Sequence, residues 1–249
     1  MAQEKRMGVI EHIEELRSRL IISLIAILVT TALAYFFSDT ILRLLTQPAG
    51  VAISKLVAFS PMDGFMIRFR IALYGGVALA APVWIYQLVR YLEPGLLPNE
   101  KRFIIPGVAG AVLLFFLGNA FGYLMLSKML EVMISMFGSD LQYTPSADQY
   151  ISFVVYFLLA IGISFELPVV ILILMKLGII TPDALRKQRR TAYFILFVFA
   201  ELITPVSDPI VAPMVVMVPM VLLFELALFL SRFVVPKPVS TIATTPGAS

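Results

Sequence analysis

Polar and apolar positions alternate along the chain in blocks, and the blocks have different periods. Val9, Ile13, Leu16 and Leu20 recur at helical spacing, with Glu11, Glu15 and Arg19 on other faces. This pattern predicts an amphipathic helix on a membrane interface, running directly into a first apolar span at 20–37. Ser38 to Ile67 carries Pro48, Gly50, Pro61 and Gly64; it is too interrupted to span and reads as an ordered surface loop with short helices. A second span, 71–89, is expected to bend at Pro82, because proline lacks an amide donor and crowds the carbonyl four residues back. A third, 103–127, contains Gly118 and Gly122 four residues apart, a spacing that lets another helix approach closely. Lys128 to Phe137 keeps a helical pattern, and Gly138 to Gln149 reads as a loop with Pro145. The fourth span, 151–175, runs to Lys176 and Gly178. Thr181 then suits the N-cap of a following helix, with Pro182 at its first position.

The last two apolar runs, 191–203 and 214–230, are expected to be short. The fifth has about 13 residues, or roughly 20 Å at 1.5 Å per residue, against a hydrocarbon core of about 30 Å. The sixth shortens once Pro209 and Pro213 are set aside, and Pro219 is expected to bend it. The pattern as a whole predicts an all-α integral membrane protein of six transmembrane helices forming one domain over 1–235. A Pro/Thr/Ser-rich tail at 236–249 is expected to be disordered.

Composition narrows the class. Hydrophobic residues make up 60% of the chain and charged residues 14%, with a mean hydropathy of +0.95. A soluble domain carries about 25% charged residues. With no Cys and one His, the chain has no thiolate chemistry and no histidine-rich metal centre. Ala32 Leu33 Ala34 resembles a signal-peptidase site, but an acidic stretch precedes it and the apolar run continues through Phe37, so the first helix is expected to be retained. Of the 19 Lys and Arg residues, Arg43, Lys55, Arg68, Arg70 and Lys128 fall on one side of this topology and the rest on the other. The asymmetry predicts both termini in the cytoplasm.

Among the carboxylates, Glu166 stands out, because it lies well inside the fourth apolar run, just before Pro168. A charge near a helix centre costs roughly 2.5 to 3.5 kcal/mol on insertion scales, so Glu166 is expected on a water-accessible concave face and not against lipid. Gln87 is a second polar position within a span. The chain has no phosphate-binding glycine loop, no His-Glu-x-x-His pair and no Gly-x-Ser-x-Gly elbow, so an enzyme is not expected.

Several stretches carry a family resemblance. His12 Ile13 Glu14 Glu15 Leu16 Arg17, Ala81 Pro82 Val83 Trp84 Ile85 Tyr86 Gln87, Glu93 Pro94 Gly95 Leu96 with Asn99 Glu100 Lys101 Arg102, Phe165 Glu166 Leu167 Pro168, and Ile203 Thr204 Pro205 resemble, in order, the motifs of the TatC family. That family provides the multispanning receptor of the twin-arginine protein translocase. The resemblance implies a core receptor that binds twin-arginine signal peptides at its cytoplasmic face and nucleates a proton-gradient-driven translocase for folded proteins. It also implies single-span partners of the TatA and TatB type in a multimeric complex, with no cofactor.

By the same resemblance Glu15 and Glu100 receive the paired arginines, with Arg17 and Tyr91 beside them. Thr204, Pro205, Asp208 and Glu225 are expected at the partner-docking spans, and Pro48 and Pro82 are structural turns. The physical logic is that a guanidinium is a planar, permanently charged fork, best read by fixed carboxylates. Spacing alone leaves other readings open. Glu15 can pair with Arg19 one turn later for about 0.2 to 0.5 kcal/mol; Glu100 can belong to a solvated cluster with Lys101 and Arg102; Tyr91 can be an interfacial anchor, and His12 an interfacial side chain. Glu201 and Glu225 are expected to face the same groove as Glu166. The family commonly has Thr-Pro-Pro-Asp with Gln four residues later, where this chain has Thr204 Pro205 Val206 Ser207 Asp208 and Ala212. The rival reading is a secondary transporter or proton channel with Glu166 as its ion site.

Overall fold

The first helix, α1 (Val9–Phe36), is continuous over 28 residues. No Gly or Pro interrupts it, so the amphipathic entry and the first span form one rod, as the periodicity predicts. A short α2 (Ser38–Thr46) follows. The computed structural model describes residues 9–48, 56–92, 104–135, 145–204 and 211–234, and everything below concerns these.

The second span is a broken pair, α3 (Asp63–Leu79) and α4 (Ala81–Leu92), bent by 54°. Pro82 sits one residue into α4 and explains the break, since it can neither donate to the carbonyl of Ala78 nor pass beside it. The indole Nε1 of Trp84 donates to the Val77 carbonyl at 3.1 Å, so a backbone acceptor at the bend is satisfied by a side chain. At the start of α3, Asp63 accepts from the amides of Phe59 and Ser60, which ties the preceding turn to the first residue of the helix.

The long α5 (Ile104–Ser135) packs along α6 (Ala147–Ser164). An added Cβ on Gly118 would lie 2.7 Å from the ring of Phe165, and one on Gly122 would lie 3.1 Å from Leu158. The four-residue glycine spacing therefore serves the close approach read from sequence. Past Ser164 the helix is interrupted for Phe165 and Glu166, then resumes as α7 (Leu167–Lys176), with Pro168 in its first turn. Gly178, at φ 71°, ends α7 in the left-handed region, where its amide and that of Ile179 return to the Met175 and Leu174 carbonyls. Thr181 then caps α8 (Pro182–Lys187) by accepting from the Ala184 amide at 3.2 Å.

The last two helices are α9 (Arg189–Ile203), of 15 residues, and α10 (Val211–Val234), of 24. At 1.5 Å per residue α9 reaches only about 22 Å, short of a core of about 30 Å. For α10 the expectation of a short span is wrong. Pro213 falls in its first turn, where an amide has no intrahelical acceptor to lose, so the proline starts the helix instead of shortening it. The helix also continues through Pro219. Among the described residues four helices are long and apolar enough to cross a membrane, and the bent α3–α4 pair makes a fifth. The described residues are all-helical apart from turns, short connections and one isolated parallel bridge, Val57 to Ser146.

α1 and α3, and α5 and α6, pack antiparallel, whereas α3 and α6 run in the same direction, since Arg70 in the first half of α3 meets Asp148 near the start of α6. α1 lies on α3 and α4, α3 on α6, α4 on α5, and α10 on α7 and α9. The larger core gathers Ile71, Phe157, Ile161 and Met220; a smaller one gathers Ile85, Val89, Ala111 and Phe115 where α4 meets α5. Thr30 on α1 donates to the Gly76 carbonyl at 2.8 Å, and Tyr74 donates to Asn119 at 3.0 Å, so polar contacts tie successive layers. At the end of the bundle where α1 finishes, Arg70 pairs with Asp148 and donates to Ser152 at 2.6 Å.

Candidate functional site

At the opposite end, where α1 begins and α4 finishes, the two helices bring their polar stripes together. His12, Glu15 and Arg19 are spaced three and four residues apart and share one face of α1; Gln87 and Tyr91, four apart, share one face of α4. His12 stacks on Tyr91 with ring centroids 4.4 Å apart and planes at 15°. Arg19 donates from Nε to Glu15 Oε1 at 2.9 Å, gives Nη2 to the same oxygen, and donates from Nη1 to Gln87 Oε1 at 3.2 Å. The other carboxylate oxygen, Glu15 Oε2, is buried and has no hydrogen-bond partner among the described residues.

The stripe is half-sheltered, the side chains of Arg19 and Glu15 being 20% and 16% exposed. Its support is apolar, since Ile85 and Val89, on the other face of α4, are buried against α5. On the same helix the Arg90 guanidinium lies 5.9 Å from the Tyr86 ring centroid. Arg17 is exposed, two residues off the Glu15 stripe. Glu100 lies outside the described residues, as do Glu93, Pro205, Asp208 and the tail 236–249. What this end offers is therefore one carboxylate with one oxygen held and one unfilled, beside an aromatic stack.

The remaining candidates sit elsewhere. Glu166 occupies the break between α6 and α7, only 8% exposed, and its Oε1 has no partner among the described residues. Glu201 on α9 likewise has a buried, unpartnered Oε2. Glu225 is committed within the fold, accepting from Arg189 Nη2 at 2.9 Å and from the Tyr193 hydroxyl at 2.6 Å, which fastens α9 to α10. Thr204 is buried and closes α9 by donating to the Ala200 carbonyl at 2.7 Å. Pro82 is exposed at the bend, and Pro48 is half-buried just past α2.

Sequence reasoning grouped Glu15 with Tyr91 through the family resemblance and set Gln87 apart as a polar position within a span. It named Arg19 only as a competing partner of Glu15, and it read His12 as an interfacial side chain. The available signal was the shared stripe of His12, Glu15 and Arg19; the reach from Arg19 to Gln87, across 68 positions, left no trace in local spacing. Among the described residues no group of three or more His, Cys, Asp or Glu could hold a metal ion.

Comparison with known proteins adds an independent line. The family described as Sec-independent protein translocase protein (TatC) matches residues 11–219. A Sec-independent protein translocase protein TatC from Carboxydothermus hydrogenoformans is 35% identical, over 96% of this chain and 98% of its own length. Its counterpart from Aquifex aeolicus is 36% identical, over 93% and 97%. Among solved structures, the twin arginine translocase receptor TatC in the detergent DDM superposes with a TM-score of 0.78 at 37% identity, over 88% of this chain and 99% of that one. A second crystal structure of that receptor gives 0.76 at 38% identity.

Proposed function

The chain belongs to the TatC family and is a core subunit of the Tat translocase, and from that premise we propose that the α1–α4 end is where it receives the paired arginines of a signal peptide. The observation that carries this reading is Glu15, a half-sheltered carboxylate with one oxygen unfilled, standing between Arg19 and the His12–Tyr91 stack. A guanidinium suits a carboxylate beside aromatic rings, because its planar donors match the carboxylate and it stacks on aromatic faces. Glu100 supplies the second carboxylate in this proposal, and Arg17 and Tyr91 flank the bound segment.

In the same proposal the chain spans the inner membrane six times, with α9 as the short fifth span and both termini in the cytoplasm. The lysine and arginine asymmetry supports that orientation. Single-span TatA and TatB type subunits dock on α9 and α10 to form the multimeric complex, and the proton gradient drives export of folded proteins. The family assignment leaves the rival transporter reading of Glu166 without support.

The deciding experiment compares binding of a twin-arginine peptide and its twin-lysine variant to the full chain in nanodiscs. Each hydrogen bond to a charged group contributes about 1.5 to 3 kcal/mol, so the arginine peptide should bind at least about tenfold more tightly. Equal binding of the two peptides would refute the receptor site.

A further inference from the structure

We propose that Arg19 and Gln87 are positioning residues that hold the Glu15 carboxylate in one orientation and thereby set how it meets an incoming guanidinium. This deepens the receptor reading above and rests on it. The geometry is asymmetric. Both the Nε and the Nη2 of Arg19 converge on Oε1, and none of its donors reaches Oε2, although a guanidinium can bridge both oxygens of a carboxylate side by side. The third nitrogen explains the choice, because Nη1 is drawn to Gln87 Oε1 on α4, and that tether turns the plane of the guanidinium.

An ion pair between residues four apart on one helix needs no such tether. Here Oε2 is enclosed and left without a donor among the described residues, which costs stability in the free protein and favours a carboxylate that gains a donor on binding. A lone glutamate side chain would also have to be ordered on binding. Arg19, tied to two helices, orders it beforehand, and the lost rotamer freedom is then not charged against the ligand.

The consequence is specificity as well as affinity. A fixed oxygen in a half-sheltered site rewards a planar fork that can also lie against the neighbouring aromatic stack, and gives a point-charge ammonium less. Arg19 should therefore sharpen the preference for arginine over lysine without itself touching the peptide.

The test is a double-mutant cycle in the full chain in nanodiscs, reading the affinities of twin-arginine and twin-lysine peptides by fluorescence. Arg19→Ala should weaken the arginine peptide about fivefold to tenfold, Gln87→Ala about twofold to threefold, and the ratio of arginine to lysine binding should fall in step. In a Glu15→Gln background Arg19→Ala should have no further effect. Arg19→Lys keeps the charge but not the fork, and should resemble Arg19→Ala. Unchanged or tighter binding by Arg19→Ala would overturn the proposal and mark Arg19 as a competitor for Glu15. An equal loss in the Glu15→Gln background would overturn it in favour of a general structural role, and full recovery by Arg19→Lys would show that charge and not orientation matters. If Glu15→Gln alone leaves binding unchanged, the receptor reading of Glu15 fails and this inference fails with it.

Discussion

Glu15 and Glu166 are the same residue type with the same defect, a buried oxygen without a partner, yet the two sites are built differently. Glu15 has Arg19 one turn away and Gln87 across the helix interface, so its charge is compensated and its geometry held. Glu166 lies buried at a helix break, with no salt bridge from any described Lys or Arg. In the function proposed above, the first is a polar half-site that a cationic ligand completes. The second is an isolated polar point where the helix has already been interrupted by Pro168. The contrast teaches that a costly position in sequence is not by that fact the recognition site; what matters is whether neighbours prepare the group for a partner.

The largest expected effect breaks the comparison at the first site. Glu15→Gln combined with Glu100→Gln should weaken a twin-arginine peptide by about a hundredfold or more, at roughly 1.5 kcal/mol or more per site, with normal membrane insertion. Peptide crosslinking in membranes checks it, and retained crosslinking would remove both residues from the receptor. Next, Gly118→Val should disturb the second site from behind, by forcing the ring of Phe165 away from α5. Overpacking of this kind costs about 1 to 3 kcal/mol, read as a lower Tm in detergent, with peptide affinity unchanged.

Two smaller effects sharpen the contrast. Glu166→Leu should leave the fold as stable or raise its stability by about 1 kcal/mol, because a buried polar group without a partner is replaced by an apolar one. If this variant instead unfolds, Glu166 has a structural partner and the comparison fails. Glu225→Ala should cost about 0.5 to 1 kcal/mol, since it frees Arg189 and the Tyr193 hydroxyl at a partly exposed position. Thermal unfolding of that variant beside Tyr193→Phe separates the two contacts.

Much of the fold was legible because it depends on local rules. The bend at Pro82, the break before Pro168, the cap at Thr181 and the glycine approach at Gly118 follow from backbone donors, side-chain volume and short spacing. The error at α10 came from the same rules applied without position. Pro213 was read as a terminator, whereas in a first turn it has no hydrogen bond to break. Of the candidate site, the carboxylate was visible and its environment was not. The ion pair with Arg19 was considered as a rival to function, but the structure shows an arrangement in which that pair occupies one oxygen and leaves the other.

The amino-acid pattern alone determined that the chain is a helical membrane protein, where its apolar runs lie, and which carboxylates are out of place, because hydropathy, periodicity and proline chemistry act within a few residues. Only the tertiary structure decided that Arg19 reaches Gln87, that His12 stacks on Tyr91, that Glu225 is committed to Arg189 and Tyr193, and that Glu166 is buried with an unpartnered oxygen. Those contacts depend on how helices separated in sequence are rotated and set against each other. The periodicity of one helix shows which residues share a face, and the facing helix then decides which of them find a partner.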